Sequence, residues 1–386
     1  MINNIALNIT RIIRKKYKQK YLEIHTPFFN GKEKNYLNKC LSTSFVSTYG
    51  PFVKKFEGKI KNYTKTKNVV ALINGTAALQ LAIKSLNLKK NDEILIPSLN
   101  FIASTNATIY NNLTPHFIET EKDTLGIDVE KLDKYLEKIS KKKNNKCFNV
   151  KTGKYIRAII PTHVFGNLAN IEKLIKLKKK YNLYLIEDSS EALGSFYKKK
   201  HAGTFGDIGI LSFNGNKIIT TGGGGAILTN SKKTAKRIRH LSTLAKYEKG
   251  YRNTYNEVGY NFRMPNINAS LGLAQIEQMN KILYLKKNIF KFYKKEFKKF
   301  KSLKILETNK KCLSNNWINL LYISGYNDSE INQIIKKIEK KNIFLKRMWS
   351  LISENKSYTK YPSMNLSVSK ELSKRIICLP SSPNTK

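Results

Sequence analysis

Between residues 69 and 188 the chain repeats one unit, a short apolar or β-branched run followed by a stretch with helical spacing. "VVALI" (69–73) leads into "NGTAALQLAIKSL", and "EILIP" (93–97) into a helical segment around 101–111. "HFIE" (116–119) precedes an acidic turn and a helix near 128–140. "IRAIIPT" (156–162) precedes the amphipathic "LANIEKLIKLKKKYN", and "LYLIED" (183–188) closes the series. Strands alternating with helices build parallel βαβ units, whose sheet is covered on both faces. Such sheets take their ligands at the carboxyl ends of the strands. Two further strand-like runs follow, "DIGILSF" (207–213) and "GAILT" (225–229), separated by a lysine segment and the glycines 222–225.

After residue 231 long helices dominate, then a lysine-rich part with a mixed α/β pattern ending in "RIICLPSSP". A length of 386 residues accommodates two domains, since single cores rarely exceed roughly 250–300 residues. The boundary is expected near 255–265, giving an N-terminal extension (1–25), a large domain (26–258) and a smaller C-terminal α/β domain (259–386). The segment 137–155, "EKISKKKNNKCFNVKTGKY", reads as a solvated, charged loop.

A formal charge of +44 invites a nucleic-acid or anionic-membrane partner. Only nine of the 71 basic residues are arginine, and the lysines are spread along the whole chain. Arginine is the usual reader of phosphates and base edges, so the excess reads as solvated background and no specific nucleic acid is expected. No run approaches the ~18–20 apolar residues of a membrane helix. The first residues lack the apolar core of a signal peptide. Four widely separated cysteines without a CxxC pair fit reduced thiols, with no metal site and a cytoplasmic location expected.

Three motifs carry chemistry. "NGTAAL" (74–79) joins a strand to a helix, where free N–H groups and the helix dipole make a phosphate cradle; an ordinary N-cap is the alternative. "IEDSSEALGS" (186–195) sets two acids at the end of an apolar strand. A carboxylate there needs a cationic or proton-bearing partner. For Asp188 that partner is a protonated pyridine nitrogen, a metal, or the N–H groups of a following helix. Lys217 lies between Phe213, Ile218 and Ile219, with the hydroxyl of Ser212 before it and glycines after it. Desolvation of that kind makes a lysine amine a Schiff-base nucleophile.

In this order the motifs resemble the DegT/DnrJ/EryC1/StrS sugar aminotransferases, from about Pro27 to Pro380. The resemblance is carried by "VSTYGPFVKKFE" (46–57), "NGTAAL", "IPSLNFIASTNA" (96–107), "PTHVFGN" (161–167), "IEDSSEALGS", "HAGTFGDIGILSFNGNKIITTGGGGAILTN" (201–230) and "GYNFRMPNINASLGLAQIE" (259–277). It implies an α/β aspartate-aminotransferase-like fold (fold type I), with a large, mostly parallel-sheet domain and a smaller C-terminal one. The implied cofactor is pyridoxal 5'-phosphate. Lys217 would be its covalent anchor and proton shuttle, Asp188 the partner of its ring nitrogen, and Phe101 the ring stacked on it. Gly75, Thr76 and Ser212 would hold the phosphate, and His163 would line the same cavity. Asn261 and Arg263 sit in the segment that reaches the neighbouring subunit, implying a homodimer with a shared site.

Two departures stand out. Asn74 replaces the family's usual Ser, and Glu191 takes the place of a common Gln near the ring hydroxyl. Relatives that act as dehydratases carry His where this chain has Lys217, so transamination is favoured. The motifs "EDSSEALGS", "SFNGNK", "GYNFRMPNINA" and "RIICLPSS" look most like the legionaminic acid and bacillosamine branch. The implied reaction moves an amino group from glutamate to C4 of a UDP-linked 4-keto-6-deoxy-N-acetylhexosamine. The runner-up is a perosamine-type synthase using GDP-4-keto-6-deoxymannose. Of other classes, a basic nucleic-acid-binding protein and a pyridoxal-binding regulator stay open at this point.

Overall fold

The apolar runs of the first 230 residues form one sheet in the computed structural model, which describes residues 2–29, 31–249, 252–307 and 311–385. Its main strands are β1 (Asn68–Leu72), β2 (Glu93–Pro97), β3 (Thr114–Ile118), β4 (Lys154–Ile159), β5 (Tyr184–Asp188), β6 (Ile208–Ser212) and β7 (Gly225–Thr229). The spatial order is β1-β7-β6-β5-β4-β2-β3. Every neighbouring pair is parallel except those of β7, which runs antiparallel to β1 and β6.

Both faces are buried, which is why the strands read as continuous apolar runs. Successive side chains alternate between faces. Val70, Leu72 and Ile186 pack with the helices Gly75–Lys84, Ala103–Tyr110 and Lys232–Ser242. Val69 and Ala71 face Phe56, Ile60 and Leu273. Leu95 and Leu185 face the helices Val129–Ile139 and Ile171–Tyr181.

The segment 137–155 is not the loop expected. Ser140–Lys143 and Lys146–Asn149 pair as an antiparallel hairpin, and the second strand continues onto β4. At the tip Asn144 and Asn145 have φ of 51° and 56°, the left-handed pair that a tight hairpin turn requires. The hairpin is anchored where Asn149 Nδ2 and the Thr152 hydroxyl donate to the buried Glu93 carboxylate.

A second sheet, in the order Leu303–Ile305, Asn319–Ile323, Ile376–Leu379, Lys346–Arg347, is wholly antiparallel. Residues Ile2–Lys16, within the expected N-terminal extension, form a helix. Ile5, Ile9, Ile12 and Ile13 recur at helical spacing and share a cluster with Tyr293, Ile334, Ile338 and Leu321. The N-terminal helix is thereby buried against the C-terminal sheet and the long helix Met279–Phe297. No helix among the described residues is long and apolar enough to cross a membrane.

Candidate functional site

The carboxyl ends of β1, β5 and β6 meet at one edge of the sheet, where an open α/β sheet presents its ligand site. After β1 the chain turns at Asn74, whose Oδ1 accepts the Ala77 N–H at 2.7 Å and caps the helix Gly75–Lys84. The first-turn N–H groups of Gly75 and Thr76 have no partner within the helix, and the dipole favours an anion there. A Cβ added to Gly75 would lie 3.1 Å from Ser212 Cβ, 3.3 Å from Ser212 Oγ and 3.5 Å from Ser190 Oγ. Two hydroxyls and a helix N-terminus therefore converge on a spot that a side chain at 75 would crowd. Ser190 was not among the expected residues. Its signal was its place, two residues beyond Asp188 on the same strand end.

The glycine run after Lys217 serves this loop. Gly222 has φ of +79°, and a Cβ on Gly225 would sit 2.5 Å from the Asn74 carbonyl group. Glycine at 225 lets β7 begin directly against the cradle backbone.

Asp188 ends β5 and is buried. Its Oδ2 accepts from Ser104 Oγ and its Oδ1 from the Ser190 N–H, both at 3.2 Å. Asn100 steadies this arrangement by donating to Ser104 Oγ at 3.3 Å and to Thr162 Oγ1 at 2.8 Å. Its Oδ1 accepts the N–H of Phe101 at 2.8 Å, and the Phe101 ring is 55% exposed. The Asp188 carboxylate is thus buried among hydroxyl and amide donors, with no ion pair to it among the described residues.

Glu187, one residue earlier, points to the opposite face. Its carboxylate contacts His163 Nε2 at 3.0 Å and accepts the N–H groups of Gly203, Phe205 and Gly206. Burial alone would raise the Glu187 carboxyl, but His163 and these backbone donors hold it below the usual range. His163 is fully buried, and its other nitrogen, Nδ1, accepts from the Ala169 N–H at 3.3 Å. Both ring nitrogens are therefore engaged away from the cradle, and the expectation that His163 lines the cavity does not match its placement. Strand alternation explains this, because Glu187 and its partner lie on the face that Asp188 does not use.

Lys217 sits in the turn after β6, its N–H donating to the Asn214 carbonyl at 3.0 Å. The side chain is 14% exposed and its Nζ is 3.3 Å from Glu191 Oε1. Glu191 Oε2 accepts the Phe165 N–H at 2.8 Å. Burial pushes the Glu191 carboxyl above its ordinary range, with Lys217 pulling the other way. Nζ also lies 4.1 Å from the centroid of the Trp317 ring. Trp317 comes from the C-terminal part of the chain, and no local sequence feature connected it to the site.

Asn261 is exposed and Arg263 half-buried. Residues 261–263 run beside the end of β1, where Ile73 N–H donates to the Phe262 carbonyl at 2.9 Å and Leu72 bridges Arg263. The Arg263 guanidinium lies 5.9 Å from the Tyr49 ring centroid.

These residues fit pyridoxal phosphate. The cradle of Gly75, Thr76, Ser190 and Ser212 suits a phosphate, and Asp188 is a buried acceptor without a cation. Lys217 is an amine in a mostly buried setting on the same sheet edge. Comparisons with known proteins agree. The family model of the DegT/DnrJ/EryC1/StrS aminotransferases matches residues 28–386. A GDP-perosamine synthase of Escherichia coli O157:H7 is 33% identical over 370 residues, covering 95% of this chain and 94% of that protein. A UDP-4-amino-4,6-dideoxy-N-acetyl-beta-L-altrosamine transaminase of Campylobacter jejuni is also 33% identical, over 71% of this chain and 70% of its own length. Among solved structures, Helicobacter pylori PseC, an aminotransferase involved in the biosynthesis of pseudoaminic acid, superposes with a TM-score of 0.87. It shares 22% identity and 95% of each chain is covered. The chain therefore belongs to the DegT/DnrJ/EryC1/StrS family of pyridoxal-phosphate-dependent sugar aminotransferases, with the fold type I architecture.

Proposed function

We propose that this protein moves an amino group from glutamate to C4 of a nucleotide-linked 4-keto-6-deoxy sugar used in surface glycan synthesis. The observation that carries the reading is the meeting, on one sheet edge, of a phosphate cradle, a buried carboxylate with no ion pair among the described residues and the amine of Lys217. When bound, pyridoxal phosphate supplies an aldehyde that takes up the amino group and a ring that withdraws electrons from the neighbouring carbon. The first-turn N–H groups of Gly75 and Thr76, with the Ser190 and Ser212 hydroxyls, would hold the phosphate. Asp188 would accept a hydrogen bond from the protonated ring nitrogen and so keep that nitrogen positive, while Ser104 Oγ and the Ser190 N–H orient its oxygens. Lys217 Nζ would hold the cofactor and, when free of it, would act as the base and acid that moves a proton at the substrate carbon. The reading includes a homodimer in which Asn261 and Arg263 serve the neighbouring site.

The nucleotide and the substituent at C2 are the finer part. The motif resemblance and the Campylobacter relative favour a UDP-linked N-acetylhexosamine. The relatives named GDP-perosamine synthase, one aligned over 95% of this chain, favour GDP-4-keto-6-deoxymannose equally. The test is incubation of the purified protein with glutamate and both keto sugars, with products identified by mass. An aminated product from one of them selects the substrate. Failure to aminate any 4-keto sugar, in a protein whose cofactor glutamate does convert to its amine form, would overturn the reading.

A further inference from the structure

Lys217 does not project freely into the cleft. It lies in a seat with two walls, the face of Trp317 at 4.1 Å from Nζ and the Glu191 carboxylate at 3.3 Å. The walls are built as one piece. Asn315 Nδ2 donates to the carbonyls of Glu191 and Leu193, each at 2.9 Å, and its Oδ1 accepts the Trp317 N–H at 2.9 Å. The indole Nε1–H donates at 2.7 Å to the carbonyl of Asn216, the residue before Lys217. The ring is thereby tied to the backbone of the lysine it faces.

The ring is also fixed from behind. Lys286 Nζ donates to the Trp317 carbonyl at 2.5 Å and to the Ser381 carbonyl. Phe165 stacks on the indole at 5.7 Å and 29°, and His25 meets it edge-on at 6.4 Å. An aromatic face attracts an ammonium through its quadrupole, more strongly where water is partly excluded.

We propose that Trp317 is a positioning residue for Lys217. Its indole face and the Glu191 carboxylate hold the lysine amine whenever it is not bonded to the cofactor. The proposal rests on the transamination reading, in which the donor's amine displaces Lys217 and the released amine must stay within reach. A lysine stem is flexible, and a group that wanders loses the advantage of fixed proximity. The seat confines it.

The chain has two tryptophans, so Trp349→Phe leaves Trp317 as the single indole. In that background, with the full chain stripped of cofactor, Trp317 emission is compared between Lys217 and Lys217→Met. A change in emission intensity is expected; identical emission overturns the seat whether or not the protein turns over. The second arm is steady-state kinetics with glutamate and the accepted keto sugar. Trp317→Phe keeps an aromatic face, and kcat should stay within about threefold, whereas Trp317→Leu should lose about tenfold. The KM for glutamate should move less than kcat in both. Equal kcat for the Phe and Leu variants, or a loss confined to KM, overturns the positioning role. A protein inactive on every keto sugar fails the transamination reading instead, and the emission arm still decides the seat.

Discussion

Lys217 and Lys286 are two lysines drawn out of a lysine-rich background, and both contact Trp317, the first at its ring and the second at its carbonyl. Lys286 is fully buried, and among the described residues its amine donates to the Trp317 and Ser381 carbonyls. Lys217 is 14% exposed, meets a carboxylate and an aromatic face, and lies at the sheet edge that carries the phosphate cradle. Burial drives the Lys286 amine well below the usual lysine range, yet nothing can reach it. Burial alone therefore does not make a reactive lysine; the difference is access and a partner for the charge. Lys286 works through its hydrogen bonds, fastening the C-terminal segment that carries Trp317.

The sharpest way to break this contrast is to exchange the losses. Lys217→Ala should reduce turnover by at least about a thousandfold, while its thermal unfolding stays close to that of the parent. Lys286→Met should lose stability instead, with turnover reduced far less than in Lys217→Ala. It leaves the Trp317 and Ser381 carbonyls without their donor, at about 1–3 kcal/mol of stability for an orphaned buried group. The pH dependence separates the two further. The unfolded chain holds a proton that folded Lys286 has released, so stability should rise with pH up to the ordinary lysine value of about 10.4. Falling pH removes that contribution. Denaturant titrations at several alkaline pH values should show the rise in the parent and its loss in Lys286→Met. An unchanged slope would mean that Lys286 is not held as described.

The sequence made one of these lysines visible and hid the other, for physical reasons. Lys217 is bracketed by local signals, with Ser212 before it and glycines after it. Lys286 occupies a position in the buried stripe Met279, Ile282, Lys286, Ile289, Tyr293 of one helix. A lysine on an apolar stripe was the available clue, but its acceptors lie 31 and 95 residues away. The main strands were legible because fully buried strands are continuous apolar runs. The acids of "IED" were legible as a pair, and period-two alternation separates them, with Asp188 toward Ser104 and Glu187 toward His163. The motif located His163 at the right strand end, but the orientation of its ring depends on Glu187 and Ala169 across the fold. The hairpin at 140–149 was missed because its lysines outweighed the two asparagines at its tip. Trp317 and Asn315 reach the site from the C-terminal part, which no local pattern encodes.

A subtler test removes only the charge from the seat. Glu191→Gln keeps an oxygen for the Phe165 N–H, so the loop should fold as before. Because burial raises the Glu191 carboxyl, its contribution to stability is full below the ordinary glutamate value of about 4.3 and declines as pH rises through the raised one. The slope is opposite in sign to that of Lys286 and begins above the ordinary glutamate value. Glu191→Gln should flatten that decline in denaturant titrations without touching the alkaline rise. If both slopes changed together, the two lysine environments would be coupled more closely than their separate partners imply.

The smallest effect belongs to the cradle that Lys217 shares and Lys286 lacks. Asn74 stands where the resemblance leads one to expect Ser, and its Oδ1 is committed to the Ala77 N–H. Serine caps a helix as well as asparagine does, so Asn74→Ser should change stability by only a few tenths of a kcal/mol, whereas Asn74→Ala should cost about 1 kcal/mol. The hydroxyl of Ser would be engaged by the same N–H and would leave the first-turn groups of Gly75 and Thr76 aimed as before. Thermal unfolding with and without added pyridoxal phosphate should therefore show the same ligand-induced shift for Asn74→Ser as for the parent, and a smaller one for Asn74→Ala. A Ser variant that lost the shift would mean that the Asn74 amide itself binds the phosphate, making the departure from the family pattern a replacement donor instead of a substitute cap.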